Sequence, residues 1–535
     1  MEHINLIYMV VSVVLFVVVT AAVRLDKFSV PVILVALVMG ILLGNGAFLD
    51  LWNIDSVRTE MFDRMKLIND IANLALIFIL FHGGFGTRKE DFLLVKWRAG
   101  GLATWGVVLT ATFSFTVMHF VFGMDKNLAL LLSVIISSTD AAATFSILRG
   151  HSLDKKLSST IEIESAANDP MAFLLTVVTV QMLASGDSVS GFVVLDFLRK
   201  FFVGPLIGFA VAKFAAWLVN KLTPQDSGYY YILFLGTALF SYSFAELCDA
   251  SGMLSAFTAG FILGNTNFVH KKGMFLFSSS VSTIANIFLF VMLGVLVQPK
   301  DWLSRDSIVN GVCLFLVLTF IARPLAVFVG TFKMGIPFKD KIFISWAGLR
   351  GAVPIVLATY PMAAGLENGI EIFNLVFFAV LLSVIFQGVS LGKIASLLKL
   401  SKPSRPTPPY SLEFFTMSEM TDEDKLELFT IDLPDPEGSD GPVIKDLRLP
   451  DGALLIMITR KRKIPRPPKH HPKTLLMESR AKRNVNREKM NDIWQVLPPR
   501  GDTVLKGWDQ VTVLAKAKDE EKIREILCNT KSCIV

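Results

Sequence analysis

The sequence has 535 residues, of which 53% are hydrophobic and only 18% charged, against about 25% charged in soluble domains. Together with long uncharged apolar runs, this excludes a large soluble protein and indicates an integral membrane protein. The formal net charge of +6 is small for such a length. It argues against a nucleic-acid-binding protein and fits loops biased towards the cytoplasm.

The chain opens on an apolar run, Ile4–Val23, long enough to span a bilayer. Glu2 and His3 precede it in place of a basic flank, so it reads as a first span and not as a cleaved signal. Apolar stretches of spanning length recur as far as Leu398. We read about thirteen, centred near residues 13, 38, 77, 110, 138, 170, 209, 238, 260, 286, 318, 351 and 385. Basic residues gather in alternate loops: Arg24 and Lys27; Arg88, Lys89, Lys96 and Arg98; Arg149, Lys155 and Lys156; Lys271 and Lys272; Lys333, Lys339 and Lys341. The stretches Glu246–Asp249 and Glu367–Glu371 carry none. This alternation predicts a multi-pass protein of the cell membrane, with the N-terminus outside and the C-terminal region in the cytoplasm.

Several spans carry groups that lipid alone would exclude. The third has Asp70 and His82, for which cavity lining or packing is the plain reading. The fifth contains SSTDAAATF, with Thr139 and Asp140 near mid-membrane. The sixth, STIEIESAANDPMAFLLTVVTVQM from Ser158, holds Glu162, Glu164, Ser165, Asn168, Asp169 and Pro170. A charge at the helix centre costs about 3 kcal/mol even on lenient insertion scales, so three carboxylates there need a reason. Asp169 lies about eleven residues in, or ~16 Å along a ~30 Å core. The eleventh span has Arg323 before Pro324, and the twelfth has GLRGAVP with Arg350.

If the membrane region is two inverted halves of six spans joined by the seventh, the fifth span corresponds to the twelfth. Both have a weak point at mid-membrane, Ser-Thr-Asp in one and two glycines with a proline in the other. Paired interruptions of this kind point to a transporter's ion site. On a helix Ser165 shares the face of Asp169, and Glu162 nearly does. Glu164 points elsewhere and is assigned to an ion pair, with Arg350 as the expected partner. Desolvation disfavours the charged form of a lone carboxylate. Asp169 is therefore expected to trade a proton for a cation, one for one, which is electroneutral for a monovalent ion. The plainer alternative for Glu164, Arg323 and Arg350 is that they only hold helices together. Glu162 is expected at a solvated funnel position.

Beyond a proline-rich linker, Ser401–Tyr410, the pattern changes to short alternating runs: Leu426–Ile431, Ala453–Thr459 and Gln510–Ala515. Pro450–Gly452 and Arg500–Asp502 supply turns, and Lys518–Leu527 a closing helix. We expect a membrane domain over 1–400, a linker over 401–412 and a small cytosolic α+β domain over 413–535. A basic insertion occupies roughly 460–487. Its cluster Arg460, Lys461, Arg462, Lys463 and Arg466 could take a phosphate or anionic lipid head groups, the bland alternative being a solvated loop. Cys248, Cys313, Cys528 and Cys533 have no metal-ligand spacing and form no disulfide framework. A prenylation signal is not matched either.

STDAAATFSIL, IEIESAANDPMAF and GLRGAVPIVLA strongly resemble the NhaP-type (CPA1) cation/proton antiporters, in particular the bacterial potassium/proton branch. The resemblance covers Ile4–Leu398 in order. It implies an all-α polytopic fold of thirteen helices with NhaA-like inverted repeats, a homodimer, and a core that moves in an elevator-like way. It also implies an ion site at Thr139 (main-chain carbonyl), Asp140, Ser165, Asn168 and Asp169, with a Glu–Arg pair at Glu164 and Arg350. The Asn-Asp pair is associated with electroneutral exchange of K+, or of Na+, for H+. Ala141 stands where many members have proline. LRLPDGALLIMITR and LPPRGDTVLKGWDQVTVLA resemble the two halves of a C-terminal RCK (TrkA-C) domain. In relatives such domains dimerise and bind regulatory ligands, nucleotides among them. No enzyme cofactor is implied.

Two rivals follow from the same residues. An RCK-regulated cation channel is suggested by the tail, but no TVGYG-like filter occurs. An intramembrane enzyme is suggested by GVSLG (Gly388–Gly392), which lies in the last span with no histidine placed to serve it.

Overall fold

The structure is a computed structural model. It describes residues 2–25, 32–44, 65–148, 151–186, 191–222, 228–266, 268, 271–297, 305–400, 402–403, 426–433, 442–465, 490–507, 509–516 and 519–528. The chain divides into two compact units, Met1–Ser404 and Arg405–Val535.

The first unit is helical. In chain order it contains α1 (Glu2–Leu25), α2 (Val32–Gly44), α3 (Met65–Gly86), α4 (Lys89–Val121), α5 (Lys126–Ile135), α6 (Ala141–Ile147) and α7 (Lys155–Ser185). There follow α8 (Gly191–Lys221), α9 (Gly228–Leu247), α10 (Gly252–Gly264), α11 (Lys271–Leu296), α12 (Ile308–Gly330), α13 (Phe338–Ala347), α14 (Ala352–Ala363) and α15 (Gly369–Leu397). Among the described residues, eight of these are long and apolar enough to cross a membrane. The bent pair α13/α14, turned by 47°, makes a ninth. Of the four other expected centres, three fall on shorter apolar helices, in α1, α2 and α10, and the fourth, near residue 138, falls in the gap between α5 and α6.

These helices pack as two sets. In one, α2, α3, α8, α9, α10 and α11 are linked neighbour to neighbour; in the other, α4, α5, α6, α7, α12, α13, α14 and α15 are. Lipid tails are as apolar as leucine, so helices here associate by close backbone approach and not by expelling water. The α3–α10 contact shows how: a Cβ at Gly260 would overlap the Phe81 carbonyl oxygen. The second set faces the first chiefly through α7 and α14, which touch α3, α8, α10 and α11.

Both expected interruptions are present. Helix α5 ends at Ile135 and α6 starts at Ala141, so the break forms without a proline after Asp140. Asp140 caps α6 instead, its carboxylate accepting from the Ala143 N–H at 3.0 Å. Helix α13 ends at Ala347 and α14 starts at Ala352. The two unwound stretches cross, and the Asp140 N–H donates to the Leu349 carbonyl at 2.7 Å. Helix α7 is capped by Asp154 and ends on Gly186 in the left-handed region, with Pro170 inside it. A two-residue ladder joins β1 (His151–Ser152) to β2 (Lys402–Pro403).

The second unit is a four-stranded antiparallel sheet closed by α16 (Glu520–Cys528). Its strands are β3 (Leu426–Asp432), β4 (Leu454–Pro465), β5 (Met490–Leu497) and β6 (Gln510–Lys516), in the order β3-β6-β4-β5. Ile431, Ile458, Val511, Val513 and Ile523 form its core. The expected start of the basic insertion is corrected here. Residues 460–465 continue β4 and pair with β5, a strand the sequence reading did not foresee. Arg460 is not available to a phosphate: it makes a bidentate pair with buried Asp509, at 2.8 and 2.6 Å, and donates to the Val504 carbonyl. The side chains of Lys461, Arg462 and Lys463, together with Arg466 and the proline-rich linker beyond Pro403, lie outside the described residues.

Candidate cation site

Helix α7 holds the unwound stretch between α5 and α6 against its own face. Ser165 Oγ donates to the Thr139 carbonyl and accepts from the Ala141 N–H, each at 2.8 Å. Asn168 Nδ2 donates to Thr139 Oγ1 at 2.6 Å and to Glu164 Oε1 at 3.0 Å, while its Oδ1 accepts from the Thr139 N–H at 3.3 Å. Main-chain groups freed by unwinding at membrane depth need partners, and α7 supplies three of them.

The arginines divide differently from the expectation. Glu164 pairs with Arg323, not with Arg350: Arg323 Nη2 lies 2.8 Å from Glu164 Oε2, and both side chains are 2% exposed. Arg350 instead donates through Nη1 to the carbonyls of Ser137, at 3.0 Å, and Ser138. It thus puts a positive charge at the C-terminal end of α5, where the helix dipole is negative. At the end of α13 neutral donors serve instead, Thr144 Oγ1 and Gln387 Nε2 donating to the Ala347 and Trp346 carbonyls.

A cavity of about 410 Å³ lies between the two helix sets. Asp169, Asp140, Ser165 and Thr139 line it from the second set. Asn168 does not line it; the residue is fully buried behind the site and positions Thr139. No ion pair reaches Asp169 among the described residues. Glu162 is exposed and lines the same cavity. From the first set come His82, Thr87, Ser282 and Asn286, of which His82 is held by Ser278 Oγ at 2.9 Å. Except for His82, this wall was missed in the sequence, although Ser278, Ser282 and Asn286 recur every fourth residue in an apolar span. At the opposite end of α3 the two sets bond directly: Thr359 Oγ1 donates to Asn69 Oδ1 at 3.0 Å, and the Tyr360 hydroxyl to Asn73 Oδ1. The cavity therefore brings two carboxylates into a largely apolar lining and is bounded by side chains from both helix sets.

Gly351 fixes how close the unwound stretches come. A Cβ there would overlap the Asp140 carboxylate and lie 2.6 Å from the Asp140 Cβ, so swinging the carboxylate alone gives no relief. Gly351→Ala is expected to displace Asp140 and lower transport about tenfold or more, since a misplacement of ~1 Å at a reacting site can cost that much. Transport in vesicles, normalised to protein level, checks it; wild-type rates would show that Asp140 need not stay where it is.

Comparison with known proteins places the chain in a family. The family described as "Sodium/hydrogen exchanger, transmembrane" matches residues 12–397. The chain belongs to this family. Similar proteins include a K(+)/H(+) antiporter NhaP2 of Shewanella sp. (strain ANA-3), 35% identical over 445 residues, covering 81% of this chain and 74% of the relative. A K(+)/H(+) antiporter NhaP of Alkalimonas amylolytica is 34% identical over 414 residues, covering 77% and 70%. Among solved structures, the sodium proton antiporter MjNhaP1 of Methanocaldococcus jannaschii at pH 8 has the same fold, with a TM-score of 0.62 at 23% identity over 73% of this chain and 99% of that one. This exchanger is thus a secondary transporter and not an enzyme, and the channel alternative finds no support.

Proposed function

We propose that this exchanger carries potassium inward or outward against protons, one for one, by alternating access centred on Asp169. The observation that carries the reading is the cavity between two helix sets, in which no ion pair reaches Asp169 among the described residues. A carboxylate there can hold a proton or a cation but gains little from holding both, because the second charge repels the first. The potassium assignment draws on the relatives named above, and Asp140, Ser165 and the Thr139 carbonyl are assigned as further oxygen contacts. Asn168 and Arg350 position the unwound stretch, and Glu164 with Arg323 ties α7 to α12.

The cavity reaches Thr87, next to the basic stretch Arg88–Arg98. With the loop charges placed inside, it opens to the cytoplasm, and the Asn69–Thr359 and Asn73–Tyr360 bonds close the outer side. Homodimerisation and a regulatory tail that takes a nucleotide or another small ligand are assigned from the resemblance alone.

The test is a cation series in proteoliposomes carrying a pH-sensitive dye. Potassium and rubidium are expected to move protons, with sodium and lithium slower, and no membrane potential to develop. Proton movement with sodium only would refute the potassium assignment. A current accompanying exchange would refute the one-for-one stoichiometry.

A further inference from the structure

We infer that Pro170 helps build the cation site by leaving the main-chain carbonyl of Ala166 without its helix partner. Proline has no N–H, so the bond from residue 170 back to the carbonyl four residues earlier cannot form, and the ring crowds that oxygen outwards. Helix α7 nevertheless runs from Lys155 to Ser185 without a break. The proline therefore does not end the helix; it frees one oxygen in its middle.

That oxygen belongs to a residue that faces the site. Ala166 is half-buried and lines the cavity together with Ser165 and Asp169, whereas Pro170 is buried. No side-chain donor among the described residues reaches Ala166. An unsatisfied carbonyl at membrane depth is costly unless it is buried in protein with a partner or faces a water-filled cavity. A dehydrating alkali cation needs neutral oxygens to replace its water, and main-chain carbonyls serve that purpose in ion-selective sites. Asp169 sits three residues beyond Ala166 on the same helix face, so one cation could meet the carboxylate and the freed carbonyl together.

A second helix proline gives the internal contrast. Pro205 lies inside α8 and frees the carbonyl of Phe201 in the same way, yet Phe201 does not line the cavity.

The inference rests on the exchange reading above, and the test separates the two. Pro170→Ala and Pro170→Leu restore the missing N–H, the second also replacing the ring's volume; Pro205→Ala is the control. In proteoliposomes the potassium concentration for half-maximal exchange is expected to rise about fivefold in both Pro170 variants, the size of one net polar contact, and to stay unchanged in Pro205→Ala. The potassium-induced rise in the thermal midpoint of the purified protein should shrink in parallel. Half-maximal concentrations unchanged in the Pro170 variants, or raised equally by Pro205→Ala, overturn the ligand role while leaving exchange standing. Should the Pro170 variants not transport, a thermal response to potassium of wild-type size overturns it as well. A wild-type protein that exchanges no cation for protons overturns both.

Discussion

Asp169→Asn is expected to reduce cation-driven proton movement to the background of empty liposomes while leaving the protein folded. Asparagine matches aspartate in shape but can neither release a proton nor present a negative charge to a cation. The bonds that shape the break between α5 and α6 run through Ser165, Asn168 and Glu164, so the substitution removes the charge and leaves the scaffold. Expression, detergent extraction and thermal midpoint should stay near wild type. Asp140→Asn is the informative comparison, since asparagine also caps helices well and the bond to the Ala143 N–H can be kept. Its loss should be partial. Exchange retained in Asp169→Asn would move the centre of the cycle elsewhere, with Asp140 the first alternative.

How far the sequence reveals this site depends on what each residue's signal is. Polar side chains and glycines inside apolar runs are costly at membrane depth, so Thr139, Asp140 and Gly348–Gly351 mark both interruptions without any coordinates. Helical spacing puts Ser165 and Asp169 on one face, and both line the cavity. Spacing says nothing about which neighbouring helix that face meets. Arg323 and Arg350 lie at similar depth, so the partner of Glu164 could not be chosen from the sequence, and the structure chooses Arg323. The place of Asn168 depends on its neighbours in the same way. Its type suits a ligand, but its amide is taken up by Thr139 and Glu164. In the second unit the basic run hid the end of β4, because lysine and arginine in a strand read as loop when no partner strand is known; β5, MNDIWQVL, carries neither residue and shows too weak an alternation to mark a strand. The first-set wall, with Ser282 and Asn286, belongs to a helix that sequence order leaves far from Asp169.

The buried pair Glu164–Arg323 gives the second large effect. Removing one partner leaves the other charged without compensation, which costs roughly 3–5 kcal/mol in buried pairs. Arg323→Leu and Glu164→Leu should therefore each lower the yield of folded protein sharply and bring down its thermal midpoint in detergent. Replacing a buried pair by apolar side chains is often neutral or stabilising, so Glu164→Leu with Arg323→Leu should recover most of that loss. Transport should not recover with it, because Glu164 Oε1 also accepts from Asn168, and without that bond the amide no longer holds Thr139 in place. The same cycle built on Glu164 and Arg350 should show weaker coupling than the Arg323 pair, since Arg350 bonds to the Ser137 and Ser138 carbonyls instead of to Glu164 and residues without direct contact couple less. Strong coupling to Arg350 and none to Arg323 would mean that α7 and α12 do not meet as described. The split between recovered stability and unrecovered transport is what separates a pair that merely joins two helices from one that also aligns the ion site.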